Sequence, residues 1–308
     1  MSTVIEDQRR SSLQSIWEEH RGWVLTCAAL LISLAVWKVH GTETAFPKSL
    51  VEAFPFAEKV NEFDRWIRPF IQPTTRAIGA GVTWFYEVVV DWLTFTQWQI
   101  VFVILVLPAF AYGGLRLGLL AVFAVGSWLV LDMWDSAMET LSLMCISIAI
   151  SVMIGVLFGI MASQSDRFET IIKPILDTMQ TLPAFIYLIP AFYLFGLGAP
   201  GAILATVIYA LPPVVRLTNL GIRQVPAGID EAATSFGATK IQSLVKIKIP
   251  LAMPAIKLGI NQTVMMALAL VVLATFIAAP GLGDIVFRGM QRLNVGKALE
   301  GGVAIVLM

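Results

Sequence analysis

Residues 141–165 read LSLMCISIAISVMIGVLFGIMASQS, a run without a single Asp, Glu, Lys or Arg. A hydrocarbon core about 30 Å thick takes roughly 20 apolar residues as helix, so this run predicts a membrane span. A second charge-free stretch lies between Lys257 and Asp284. A third, Thr178 to Val215, is longer than one span can use and must fold back on itself. Gly196, Gly198, Pro200 and Gly201 stand at its middle, which predicts a hairpin of helices over 183–197 and 202–215. Shorter runs at 22–37, 99–115 and 117–131 each give about 24 Å of helix and need headgroup anchors. Arg21, Trp23, Trp37, Lys38, Trp98, Trp128 and Trp134 are placed for that role. An eighth run begins near Gly301. The expectation is an all-α polytopic membrane protein with about eight transmembrane helices, the last incomplete at Met308 and continuing in the natural protein.

Composition supports this and excludes other classes. The chain has 308 residues, 57% hydrophobic and only 14% charged, against a usual charged share of about 25%. Its 21 basic and 21 acidic side chains cancel, leaving no electrostatic footprint for nucleic acid. Cys27 and Cys145 both lie in apolar runs, so there is no disulfide framework and no metal-ligand spacing. His20 and His40 flank the first run and read as interfacial side chains. Nucleotide-binding, metalloprotease and serine-hydrolase motifs are absent, so no catalytic residue, metal or cofactor is expected. No span centre carries an acid or base, which weighs against the rival reading of an ion-coupled secondary transporter for a small zwitterion or cation.

Orientation follows from charge. Between Arg216 and Lys257 the chain carries Arg216, Arg223, Lys240, Lys246, Lys248 and Lys257 against Asp230 and Glu231, whereas 132–139 carries only acids. The first segment is therefore expected in the cytoplasm and the second outside. Arg9, Arg10 and Arg21 put the N-terminus inside, while Arg288, Arg292 and Lys297 fall in a loop this count places outside.

The region 1–137 holds the first spans and a segment, 39–98, that is too charged to span and is divided by Pro47, Pro55, Pro69 and Pro73. Within it Ile78, Val82, Phe85, Val89 and Trp92 recur at helical spacing, the pattern of a helix lying in the interface or packed on the spans. Residues 138–308 form the core region. Its loop, 221–262, is patterned as structure: Pro226 suits a first helical turn, Asp230 and Glu231 sit near that helix's positive end, and Gly237 stands where a left-handed cap belongs. Thr239 with Gln242 forms a capping box for a second short helix, which Pro250 is expected to end. Such a bracket is either a tight connector or a docking element.

Glu231-Ala232-Ala233, then Gly237, then Ile247-Lys248-Ile249-Pro250 resembles the EAA signature of permease subunits in binding-protein-dependent ABC importers, with Ile249 in place of the usual Leu. The branch for glycine betaine and proline betaine is the nearer likeness: Asp177-Thr178-Met179-Gln180-Thr181 leading to Pro183-Ala184-Phe185, then Leu211-Pro212-Pro213, Gln224-Val225-Pro226, Ser235-Phe236-Gly237-Ala238 and Asn261-Gln262-Thr263. The likeness covers roughly Met138 to Met308. It implies a type I permease core with a cytoplasmic coupling helix, seated in a bacterial inner (plasma) membrane as a multi-pass protein. It also implies an ATP-binding subunit, a substrate-binding protein and a second copy of the chain as partners, besides membrane lipid. The chain would be no enzyme, ATP being bound and hydrolysed by the partner. Glu231, Ala232, Ala233, Phe236, Gly237 and Ala238 would couple to that ATPase. The solute would be a methylated amine: glycine betaine or proline betaine, then choline or trimethylamine N-oxide. Thr178, Gln180, Thr181, Tyr187, Asn261 and Gln262 are the polar groups near the expected pore, and Phe185 and Tyr187 could meet a quaternary ammonium by cation–π contact. Gly155 and Gly159 form a GxxxG pair for close helix packing, with the subunit contact as one place for it.

Overall fold

The computed structural model describes residues 22–38 and 55–308. His20, His40, Pro47 and the arginines at 9, 10 and 21 lie outside the described residues. Contacts divide the chain into two units, Met1–Arg68 and Pro69–Met308. The first holds a short apolar helix, α1 (Gly22–Lys38), and the start of α2 (Phe56–Phe95). In the second, α2 continues and is followed by α3 (Trp98–Val130), α4 (Trp134–Gln164) and α5 (Asp166–Thr181). A 3₁₀ turn (Ala184–Tyr187) leads into α6 (Leu188–Phe195), then α7 (Ala199–Arg223) and two short helices, α8 (Ala227–Ser235) and α9 (Lys240–Ser243). A π turn (Leu244–Lys248) joins α9 to α10 (Ile249–Leu273); a 3₁₀ turn (Ala274–Ile277), α11 (Leu282–Gln291) and α12 (Val295–Val306) complete the order. Among the described residues four helices are long and apolar enough to cross a membrane: 98–130, 134–164, 199–223 and the continuous 240–277. Counting the pair 166–181 and 184–195, bent by 111°, as one span makes five.

The core is α7 gripped between α4 and α10. Lipid tails are as apolar as leucine, so helices in a membrane associate by close backbone approach and by hydroxyl hydrogen bonds rather than by burying oil. Both devices are present. A Cβ on Gly155 would stand 2.1 Å from Val214, and one on Gly159 would stand 2.5 Å from Thr218 Cβ and 2.8 Å from the Val215 carbonyl oxygen. On the other flank, a Cβ on Gly259 would meet Val214 Cα at 3.0 Å, and one on Gly221 the Ala255 methyl at 2.7 Å. Ser151 Oγ donates to Ser147 O at 2.7 Å and to Val207 O at 3.3 Å, and Thr263 Oγ1 donates to Ala210 O at 3.0 Å. The order of these contacts makes α7 parallel to α4 and antiparallel to α10. The GxxxG pair therefore packs on α7 of the same chain, and the placement at a subunit contact is corrected.

Two other expectations change. The runs 99–115 and 117–131 fall in α3, which breaks at Gly114 (φ 72°, ψ −172°). There the Phe110 ring lies so close to Gly118 that a Cβ would stand 2.2 Å from it; eight residues of straight helix would rise about 12 Å, so the helix bends sharply at this glycine. Trp128, read as a headgroup anchor, is only 3% exposed, and its indole N–H donates to Ala304 O at 3.1 Å. On α2 the stripe packed on neighbouring helices is Thr75, Gly79, Val82, Tyr86 and Val89, with Ile78, Phe85 and Trp92 exposed beside it. The expected hairpin turn is observed, with Gly196 and Gly198 at φ of 84° and 94° and the Gly198 N–H donating to Ile277 O at 2.8 Å.

Alanine normally stabilises a helix interior relative to glycine by about 0.5–1 kcal/mol, but overpacking costs about 1–3 kcal/mol. Gly159→Ala is therefore expected to lower the melting temperature of the purified protein. Gly126→Ala, whose Cβ meets nothing within 4 Å, is expected to hold or raise it. Thermal unfolding in one detergent checks the pair, and equal behaviour would contradict this packing.

Candidate coupling loop and translocation face

Where α7 ends, Pro226 (φ −56°, ψ 134°) turns the chain into α8 from the N-cap position, one residue before the first turn where the sequence placed it. The helix closes on a left-handed glycine: Gly237 has φ 84°, its N–H donates to Thr234 O at 2.9 Å, and the Ala238 N–H donates to Ala233 O at 3.0 Å. These two bonds are the paired terminators of a Schellman motif, and they satisfy carbonyls that a helix end otherwise leaves bare. Thr239 then caps the next helix. Its Oγ1 accepts from the Gln242 N–H at 3.3 Å, and Gln242 Oε1 accepts from the Thr239 N–H at 2.9 Å. The expectation that Pro250 ends this second helix is corrected. Proline lacks an N–H and crowds the carbonyl four residues back, and the wider turn at 244–248, with the Ile249 N–H reaching Leu244 O, carries the helix past it into α10.

One side chain fastens the bracket. Asp230 in the first turn of α8 pairs with Lys248 Nζ at 2.7 Å and accepts a hydrogen bond from the buried Ser243 hydroxyl. The Lys248 hydrogen bond, and after it that of Ser243, hold the Asp230 carboxyl below its ordinary value. Asp230 and Lys248 entered the sequence reading only as charges, because no spacing rule joins residues on separate elements. Of the six coupling residues, Ala233 is turned inward and Ala238 is half-buried, while Glu231, Ala232, Phe236 and Gly237 are exposed. Phe236 is 93% exposed, and no ion pair within the described residues engages Glu231.

The polar candidates lie on two elements. Thr178, Gln180 and Thr181 sit exposed at the end of α5, where Thr178 Oγ1 donates to Pro174 O at 2.8 Å and Thr181 Oγ1 to Thr178 O at 3.0 Å. Asn261 and Gln262 are exposed on α10. Tyr187 is buried: its hydroxyl donates to Met179 O across the bend and its ring lies 5.6 Å from that of Tyr209. Tyr187 thus pins the bent pair. A second set that the sequence reading missed ties α5 to the end of α7. Arg223 pairs with Asp166 at 2.7 Å and Glu169 at 3.0 Å and donates to Ala162 O at 2.8 Å. Asn219 donates to Glu169 at 2.8 Å, and Arg216 pairs with Asp177. The last turn of α7, which leads into the bracket, is therefore also the anchor of α5.

The chain is thus a polytopic helical core whose middle helix runs into a short, capped helix pair, and similarity to known proteins identifies it as a permease subunit of an ABC importer. Residues 151–308 match the family model for the binding-protein-dependent transport system inner membrane component, and the chain belongs to that family. It is 40% identical over 266 residues to the glycine betaine/proline betaine transport system permease protein ProW of Escherichia coli K12, covering 85% of this chain and 73% of that one. It is 39% identical over 257 residues to the glycine betaine transport system permease protein OpuAB of Bacillus subtilis 168, covering 82% and 90%. Among solved structures it is similar in fold to an inward-facing MetNI methionine ABC transporter chain, with a TM-score of 0.50, 21% identity, and 57% of this chain and 88% of that one covered.

The Asp230 latch has a pH signature. A carboxyl held below its free value of about 3.9 keeps the pair intact above that pH and loses it as pH falls through the lower folded value. Hydrogen-exchange protection of α8 is expected to stay level from about pH 7 to 5 and to fall only below about 4. Asp230→Asn is expected to lower it throughout; protection indifferent to both would mean that the pair does not hold α8.

Proposed function

We propose that the chain is the membrane subunit of an ATP-driven importer that moves a methylated-amine osmolyte, glycine betaine or proline betaine first and choline or trimethylamine N-oxide next. It works as a homodimer with two ATP-binding subunits and takes its solute from a substrate-binding protein outside. On a count of eight spans, with the arms of α3 on either side of the Gly114 kink taken as two and α1 as another, α8 lies in the cytoplasm. The observation that carries the reading is the Schellman-closed α8, with Glu231, Ala232, Phe236 and Gly237 turned outward. Small residues let another protein's backbone approach closely, Phe236 offers an apolar knob, and the exposed Glu231 offers a carboxylate to a basic partner residue.

In this mechanism ATP-driven closure of the partner subunits moves α8 as a rigid body, because the Schellman turn, the capping box and the Asp230–Lys248 pair leave it no soft joint. Movement passes into α7 directly and into α10 through the π turn. Arg223 then carries it to α5 and so to the bend at Tyr187. Access switches from one side to the other as packed helices move between two arrangements. ATP chemistry stays on the partner.

A Cβ on Gly237 meets nothing within 4 Å in this chain, so a side chain there costs only the left-handed backbone penalty, about 1 kcal/mol. In proteoliposomes holding the full complex, uptake of radiolabelled glycine betaine is expected to need ATP and the binding protein, with methionine and histidine ignored. Gly237→Asp should leave the chain folded but cut solute-stimulated ATP hydrolysis by at least about tenfold, a loss of about 1.4 kcal/mol or more of coupling. Uptake driven by an ion gradient without ATP would assign the chain to secondary transporters, and normal coupling in Gly237→Asp would reduce the bracket to a connector.

A further inference from the structure

One side of α10 is uncovered along its length. Leu258, Asn261, Gln262, Met265 and Ala269 are exposed at helical spacing, and Phe276 continues the line beyond the helix end, while Gly259, Thr263, Ala267 and Leu270 on the opposite side are buried. Neighbouring Asn and Gln amides do not suit a lipid-facing stripe, since hydrocarbon offers them no partner. Neither has a hydrogen-bond partner among the described residues. Between Leu258 and Ile277 the stripe holds no charged residue.

Phe276, at the far end of this stripe, is the middle rung of a ladder drawn from three elements. Its ring centroid lies 5.2 Å from that of Phe185 in the 3₁₀ turn before α6, at 77°, and 5.1 Å from that of Phe287 in α11, at 66°. Packing leaves 48% of Phe185 and 50% of Phe276 exposed. Arg288, the cation next to Phe287 in the chain, is engaged by Asp284 at 2.7 Å.

We propose that Phe185, Phe276 and Phe287 form a cation–π station for the quaternary ammonium head of the solute, at one end of a passage whose polar stretch is Asn261 and Gln262; this inference rests on the function proposed above. A trimethylated nitrogen has no hydrogen to donate, so amide or hydroxyl acceptors cannot select it, whereas an aromatic face attracts it electrostatically. A carboxylate in the same place would bind the head and repel the carboxylate of a betaine. Each ring binds weakly enough to release, which translocation requires. Phe276 and Asn261 are about 20 Å apart along the helix, so the solute meets them in turn.

The test replaces Phe276 by 4-fluoro-, 3,5-difluoro- and pentafluorophenylalanine in the complex with its ATPase and binding protein, and measures glycine betaine uptake in proteoliposomes. Fluorination drains the ring face while nearly preserving its size, so uptake should fall stepwise, by roughly tenfold in all. Phe276→Leu should lose a similar share and Phe276→Trp keep most of it. The same series at Phe123, an exposed ring on α3, should change nothing. Uptake insensitive to fluorination at Phe276 would show a ring that serves packing or faces lipid and would overturn the station. Failure of the unsubstituted complex to take up any methylated amine would instead overturn the functional reading.

Discussion

Helix α7 is held on both flanks by close contacts at glycines: Gly155 and Gly159 on one side, Gly221 and Gly259 on the other. This constraint organises the rest. Helices that touch at backbone distance cannot slide without losing many short-range contacts at once, so α4, α7 and α10 move together or switch between discrete packings. The ends of α7 are where the specialised features collect. One end begins at the Gly196–Gly198 turn, which is tied to Ile277 after α10. The other supplies Arg223 to α5 and enters the bracket.

The bracket is stiff for reasons of local chemistry. Gly237 closes α8 with two bonds, Thr239 and Gln242 close the start of α9 with two more, and Asp230 ties α8 to Lys248 where the π turn leads into α10. A push on α8 thus reaches the membrane core by two routes, through α7 and through α10. Exposure of Phe236 and of Glu231, which has no ion pair among the described residues, is what such an element needs if another protein does the pushing.

The parts that could be read directly from the sequence are those whose hydrogen bonds close within a few residues. The Gly237 cap and the Thr239–Gln242 box depend on neighbours in the chain, and charge-free runs such as 141–165 need only length and composition. Contacts between elements were not readable in this way. The residue types of Gly155 and Gly159 foretold a close approach but not that α7 would be the partner. Asp230 with Lys248, Arg223 with Glu169, and the rings of Phe185, Phe276 and Phe287 are joined by topology, which no local spacing encodes. Pro250 misled for a related reason: its helix-breaking chemistry is real, yet five residues of π turn absorb it. On α2 the apolar spacing of Ile78, Phe85 and Trp92 says nothing of the neighbouring stripe, where Gly79 and Tyr86 do the packing.

If α8 and its glycine turn are the surface on which the ATPase acts, position 236 lies against that subunit. A photoreactive benzoylphenylalanine at Phe236 in the assembled complex tests it most directly, with the same probe at Ile208, an exposed position on α7, as the reference. Strong crosslinking of position 236 to the ATP-binding subunit is expected, changing in yield when ATP is bound, and none from position 208. Crosslinks from 236 that reach only lipid or the chain itself, with the complex intact, would contradict it.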